Sequence, residues 1–341
     1  MGWLACMSIT RNTAPDADPR QVEFGFLQIP LEGGFSGVEI TPLSDHKDRL
    51  AWLNRHSNQD GFFYPPQVST YEIDLVTRKR RKKVEKTTRP ASVYHLPASH
   101  QIFINAPVSP VDNSFGDEAL IIHLLAYVYG TRLQLVKWRF DGRVPIKPVH
   151  SISITEQTCL DFLKHTYAWW QKLTGDQRIR FVNILYVHTR ARSLEWEWDA
   201  FIHQYLTFDA LFRLHTEIRP SKSKISHRER LTVMCREYGI RNNPGLLDKI
   251  YLARNELFHE AMWTGSAIGF DSADKDAFYL PYHLARLNAR IISSMVGYTN
   301  EYVGSAWWAM GTFLFDRPKM KANKPLQPIL ASELRPICSA G

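Results

Sequence analysis

Hydrophobic and polar positions change rhythm midway along the chain. Over the first ~150 residues the apolar runs are short and flanked by turn-formers, which predicts strands. Val22-Glu-Phe-Gly-Phe-Leu-Gln-Ile29 is rich in β-formers, Gly33-Gly34 follows as a turn signal, and residues 37–41 are placed to pair back onto it. Residues 68–76, 92–96, 101–105 and 132–140 are further expected strands. One helix interrupts them: Leu120, His123, Leu124 and Tyr127 recur at helical spacing in Asp117–Tyr129, and Gly130 ends it.

After Pro145 and Pro148 the spacing becomes helical throughout. Thr155, with Glu156 and Thr158, opens a helix through Leu173, and Thr174-Gly175-Asp176 restarts one to Arg190. Residues 194–218 form the longest candidate, with Phe201, Tyr205, Phe208, Leu211 and Phe212 on overlapping faces. Residues 219–224 break it. Residues 226–238, a segment opened by Pro244-Gly245, and residues 276–302 complete the series. From Asp316 onward the chain is rich in Pro, Lys and Ala without periodicity, as in a flexible tail. The expected class is therefore α+β. A β-rich N-terminal module fills residues 1–150, an all-α bundle residues 151–315, and the tail residues 316–341.

Composition adds little to that division but bears on partners. A chain of 341 residues with 44% hydrophobic and 12% aromatic content can fill packed cores. The formal charge of +8 favours a polyanionic partner. Cys6, Cys159, Cys235 and Cys338 are scattered without a CxxC pair, which argues against a zinc site or disulfide framework and fits a reducing cytoplasm. No apolar run approaches the ~20 residues of a membrane span. The start, Met1-Gly2-Trp3-Leu4-Ala5-Cys6, matches neither a signal peptide nor the myristoylation pattern.

The candidate chemistry lies in Tyr251-Leu-Ala-Arg-Asn-Glu-Leu-Phe-His259. Arg254 can hold phosphate oxygens, and His259 can move a proton near neutral pH. An arginine followed by histidine after four to six intervening residues occurs also at Arg49/His56, Arg89/His95 and Arg143/His150. Pro90, Pro145 and Pro148 interrupt the last two, and Arg49 lacks a following Asn. Only Arg254–His259 lies among successive amphipathic helices. Asn255 and His259, four apart, are expected to stack on one helical face, with Arg254 about 100° away. An Arg and a His in a last helical turn also suit the helix dipole alone.

The segment Leu206-Thr-Phe-Asp-Ala-Leu-Phe-Arg213 on a long helix, followed by a short helix and the Arg254-Asn255…His259 motif, resembles the HEPN family, in particular its ApeA-like branch. The resemblance covers roughly residues 150–305. It implies a helical bundle acting as a metal-independent endoribonuclease, with no cofactor and no metal, in anti-phage defence, abortive infection or toxicity. RNA, with tRNA among the options, is the implied substrate, cleaved through its own 2′-hydroxyl. Arg254, Asn255 and His259 match the family motif, and Asp209 matches the acidic position of the upstream helix, where several relatives carry Glu. A homodimer pooling two motifs, and an antitoxin or phage-derived trigger, are implied partners. The alternative is a non-catalytic HEPN-like interaction protein, or a nucleotide- or RNA-binding regulator.

Other features stay open at this level. The run Arg78-Lys79-Arg80-Arg81-Lys82-Lys83 is either an RNA-gripping arm or a solvated hairpin tip. The pairs Trp169-Trp170, Trp196/Trp198 and Trp307-Trp308 suit core packing or base stacking. Asp271-Ser-Ala-Asp-Lys-Asp276 lacks the Gly and Glu of a calcium loop, and no HExxH, P-loop or dinucleotide fingerprint occurs.

Overall fold

Period-two burial is what the first strands share. In β1 (Arg20–Gly25) Gln21 and Glu23 are exposed while Phe24 is buried. After β2 (Gly33–Phe35), β3 (Val38–Pro42) buries Val38 and Ile40 around exposed Glu39. The computed structural model, an α+β fold, describes residues 19–105, 107, 116–136, 138–146, 152–220, 224–269, 275–309 and 311–318, without the side chains of residues 69–73 and 80–89. Cys6, Cys338, most of the 271–276 acidic segment and residues 319–341 of the expected tail lie outside these described residues.

The β2–β3 turn is Ser36-Gly37, with φ of 46° and 79°, so both positions are left-handed as a two-residue hairpin requires. Gly33-Gly34, expected to turn, lie instead inside β2 and pair with Ile40 and Glu39. Helix α1 (His46–His56) follows, then β4 (Phe62–Phe63). β5 (Gln67–Ile73) and β6 (Arg80–Pro90) form a hairpin of their own. β7 (Val93–Tyr94) precedes β8 (His100–Ile104), which takes the middle of the main sheet. With β9 (Gln134–Leu135) the order is β2-β3-β8-β1-β9, all antiparallel. β8 therefore separates β1 from β3, which the sequence had paired directly. The strand expected over 132–140 reduces to β9 and β10 (Phe140–Asp141), because the chain turns where Trp138 N–H meets Leu135 O at 2.8 Å. β10 pairs with β7, and β11 (Val144–Pro145) with β4.

Helix α2 (Asp117–Tyr129) is buried at all thirteen positions and ends on left-handed Gly130. Its first two residues are carboxylates. Arg20 of β1 reaches both, with Nη2 at 3.2 Å from Asp117 Oδ2 and Nη1 at 3.0 Å from Glu118 Oε1. Tyr167 Oη donates to Asp117 Oδ1 at 2.6 Å.

The helices after residue 155 start on strong caps. Thr155 caps α3 (Glu156–Trp170), and capping boxes open α4 (Gly175–Arg190) and α6 (His227–Glu237). The long helix α5 (Glu197–Ile218) lies against α4 and α8 (Leu280–Met295). α7 (Pro244–Asn255) takes Pro at its first turn and packs on α6. Seven residues past its end, the β13 (Met262–Trp263) and β14 (Ser266–Ala267) hairpin buries Trp263 against Phe201. The single helix expected over 276–302 is divided at Gly297, φ 83°, into α8 and α9 (Glu301–Gly304). Beyond it Phe313–Leu314 lie parallel to Ile152–Ser153, and Phe315 is buried.

One apolar cluster runs from Phe24 and Ile40 of the sheet through α2 to Phe162, Phe208, Leu284 and Phe315. A smaller one gathers Phe26, Leu53, Phe63 and Phe140. Trp170 and Trp307 are core residues, as are the free thiols Cys159 and Cys235. Among the described residues no helix is long and apolar enough to cross a membrane, and no three His, Cys, Asp or Glu side chains gather as a metal-ligand set.

Removing Asp117 takes one of its carboxylates from the largely buried Arg20 cation and the acceptor from the Tyr167 hydroxyl. Asp117→Ala is expected to cost about 3–5 kcal/mol in urea unfolding, and Asp117→Asn less, since the amide still accepts from Tyr167.

Three imidazoles are held neutral by the fold. Burial is the first cause in each, taking His100 and His123 to about 3 and His188 to about 4, with further lowering by His46, Arg132 and Arg192 respectively. The unfolded chain takes up these protons below about 6.5 and the folded one does not. Stability should therefore fall as pH drops from 7 to 5, the loss setting in near about 6.5 and approaching about 1.4 kcal/mol per unit per group below it. Thermal unfolding across that range checks it, with a shallower loss expected in His123→Leu.

Candidate active site

Arg254 lies one residue from the end of α7, where the helix does not stop but widens into a π turn, Glu256–Glu260. Ala261 closes that turn in a left-handed conformation, φ 51°, its N–H bonded to Glu256 O. At ~3.6 residues per turn, positions five apart would point about 140° away from each other. The i→i+5 repeat of a π turn brings them nearly over one another. Arg254 Nη1 accordingly donates to His259 Nε2 at 2.9 Å, and also to Asn255 Oδ1 at 3.0 Å. The expected stacking of Asn255 on His259, with Arg254 turned aside, is replaced by a guanidinium that bridges the other two.

Local anchoring explains the wide turn. Leu257 and Trp263 are both buried, and Glu256 Oε2 accepts from Gly265 N–H at 3.0 Å, tying the turn to the β13–β14 hairpin. One extra residue in the turn lets Leu257 and Trp263 both reach the core while His259 stays exposed.

The guanidinium is half-buried between two rings. Its carbon lies 5.8 Å from the Tyr205 centroid and 5.3 Å from that of Phe258, contacts worth roughly 0.5–1 kcal/mol each. No carboxylate lies within ion-pair distance of Arg254 among the described residues, and its Nε is buried without a hydrogen-bond partner. Asp209, expected to support Arg254, pairs instead with Arg230 at 3.2 Å.

Arg230 and His227, both on α6, complete a second cation–imidazole pair that the sequence did not single out. Arg230 Nη1 donates to His227 Nδ1 at 3.1 Å, and its guanidinium lies 4.7 Å from the Phe212 ring. Burial lowers the His227 pKa first, and the charges of Arg230 and Arg254 lower it further against the opposing pull of Asp209. Tyr205 is pushed up to about 12, chiefly by burial and then by Asp209, so its phenol stays protonated. Its hydroxyl has no hydrogen-bond partner among the described residues. The i,i+4 pair Tyr205/Asp209 on α5 and the i,i+3 pair His227/Arg230 on α6 were readable as shared helical faces. What was not readable is that both faces meet α7.

The basic run lies apart from this cluster. Arg78 and Lys79 are exposed in the β5–β6 turn, which is closed by Asp74 accepting from Val76 and Thr77 N–H at 2.9 and 3.0 Å. Arg80, Arg81, Lys82 and Lys83 open β6, with the backbones of Lys82 and Lys83 opposite Glu72 and Tyr71. Their side chains lie outside the described structure. Arg49/His56, the competing helical pair, falls in α1, where Arg49 binds Asp45 at 2.7 Å rather than His56.

Comparison with known proteins adds nothing to this geometry: no family model, no curated protein and no solved structure matches the chain.

A guanidinium only donates, so His259 Nε2 must present its lone pair to Arg254 and carry its proton on Nδ1. Imidazole ¹⁵N spectra at neutral pH should show Nε2 unprotonated in the parent and lose that preference in Arg254→Ala. An unchanged tautomer in the variant would mean the contact does not govern the ring.

Proposed function

We propose that the protein is a metal-independent endoribonuclease of the HEPN type, in which Arg254, Asn255 and His259 act on an RNA phosphodiester. The observation that carries this reading is the half-buried Arg254 guanidinium, without a carboxylate partner among the described residues and bonded to an exposed imidazole. Such a cation attracts a phosphate. A phosphate oxygen competing for Nη1 would release the His259 lone pair at the moment a base is needed. His259 then takes the proton of the RNA 2′-hydroxyl, whose oxygen attacks phosphorus. The bond to the 5′-oxygen breaks, leaving a 2′,3′-cyclic phosphate and a 5′-hydroxyl once that oxygen is protonated. Arg254 stabilises charge on the phosphoryl oxygens, and Asn255 orients the guanidinium.

The leaving oxygen needs an acid. His227 is disfavoured for it, since burial and two arginines hold its pKa down. A second copy of the chain, docked through α7 so that its own His259 faces the first, supplies one. Leu252 and Phe258, 57% and 49% exposed beside the motif, are the apolar side chains such a contact would cover. Asp209 acts at one remove, holding Arg230. The Arg78–Lys83 hairpin is assigned to RNA attraction and the N-terminal strands to sensing a phage-derived trigger or to restraint, with the chain working in the cytoplasm. An antitoxin would be a partner of the same kind.

The test is cleavage of end-labelled RNA and the matching DNA by the full chain in the presence of a chelator. RNA should be cut to cyclic-phosphate ends and DNA should resist. Arg254→Ala and His259→Ala, folded by circular dichroism, should lose on the order of 10²–10³ in rate. If both variants cut like the parent, the reading fails. A second reading, a non-catalytic dimerising or RNA-binding module, is favoured by the same exposed Leu252 and Phe258. It requires RNA binding or dimerisation with no cleavage by the parent.

A further inference from the structure

A cavity of about 320 Å³ lies between the strand segments and the helical layer; like the Arg254 cluster it borders α5, but the two sites share no lining residue. The walls come from β4, β11, the segment between α4 and α5, the start of α5, and α8. Arg143 and Arg192 both line it, and neither forms an ion pair with a carboxylate among the described residues. Arg143 donates to Leu194 O at 2.6 Å and to Tyr64 Oη at 3.4 Å, lies 4.2 Å from the Phe62 ring centroid, and keeps a buried Nε with no partner. Arg192 donates to Gly130 O at 2.8 Å. Arg286 lines the same space, and its charge adds to the burial that already lowers the Arg192 pKa. Cations gathered in a partly desolvated space are favoured by an anion placed against them.

Other groups at the cavity narrow the anion. Tyr302 carries a buried hydroxyl with no hydrogen-bond partner among the described residues. Trp196, Phe278 and Tyr282 present rings that are about half exposed, at 47%, 52% and 49%, an arrangement suited to a flat aromatic body. Glu195 and Glu197 also line the space, and a carboxylate beside cations and aromatic rings suits ribose hydroxyls. The N-terminus of α5 opens here without a side-chain cap. The volume is at the low end of the ~300–1,000 Å³ typical of small-molecule sites, enough for one nucleotide and too small for a strand.

We propose that this cavity binds a nucleoside monophosphate, with Arg143 and Arg192 on the phosphate and Trp196 against the base. The site is separate from the proposed ribonuclease centre and does not rest on that reading. Calorimetric titration of the full chain with AMP, GMP, CMP and UMP tests it, alongside inorganic phosphate and adenosine. At least one mononucleotide should bind at one site per chain, at least tenfold tighter than phosphate or adenosine. Trp196→Ala, a surface ring, and Arg143→Ala, with folding checked by thermal melting, should each weaken it at least tenfold. Arg254→Ala should bind like the parent. The proposal is overturned if no mononucleotide binds at about 1 mM, if Trp196→Ala binds undiminished, if phosphate alone binds as tightly, or if Arg254→Ala abolishes binding.

Discussion

Two adjacent carboxylates at the head of a wholly buried helix set the terms for the rest of the fold. Asp117 and Glu118 open α2, which exposes none of its thirteen residues. Acidic groups suit a helix N-terminus, but burial without a counter-charge would be prohibitive. Burial raises the Glu118 pKa, and Arg20 pulls it back. That arginine comes from β1 and the Tyr167 donor from α3, so the sheet, α2 and the first helix of the second half must assemble together. The continuous core from Phe24 to Phe315 follows from this three-way closure.

With α2 fixed, α5 becomes the member shared by the two polar regions. Gln204 and Tyr205 are neighbours on it. Gln204 exchanges hydrogen bonds with His188, accepting from Nδ1 at 3.0 Å and donating to the His188 carbonyl at 3.0 Å, and it lines the arginine-rich cavity. Tyr205 lies against Arg254. Asn288 of α8 holds Gln204 from the other side through contacts of 2.8 and 3.0 Å. The rotation of α5 is thus fixed by buried polar contacts as well as by packing, and Asp209, one turn on from Tyr205, is committed to Arg230.

Regular periodicity was legible wherever local capping and burial agreed. Thr155, Thr174 and Ser226 cap the helices that their positions predicted. Gly130 and Pro244 stand where a stop and a start were read. Legibility failed where a non-local choice decided. Strand order is one case, since β8 rather than β3 pairs with β1, and nothing local to residues 22–29 encodes that partner. The glycines are another: Gly33-Gly34 offer a turn, yet Ser36-Gly37 takes it. At the candidate site the identities Arg254, Asn255 and His259 were legible. The π turn was not, because Leu257 and Trp263 impose it through contacts with residues distant in sequence. His227 and Arg230 escaped notice for the same reason.

Two sets of arginines differ in how their charge is accommodated, and that difference bears on function. Arg20, Arg132 and Arg190 each meet a carboxylate, at 3.2, 2.8 and 2.6 Å, and these pairs hold the fold together. Arg254, Arg143 and Arg192 meet none among the described residues, only carbonyls, rings, a hydroxyl, an amide and an imidazole. Such partners orient a guanidinium without neutralising it. A fold that needed only structural cations would gain from placing Asp or Glu opposite them, as it does for Arg20. Leaving three oriented cations without a directly paired carboxylate, one beside an exposed imidazole and two lining a cavity with aromatic walls, is a cost that an incoming anion removes.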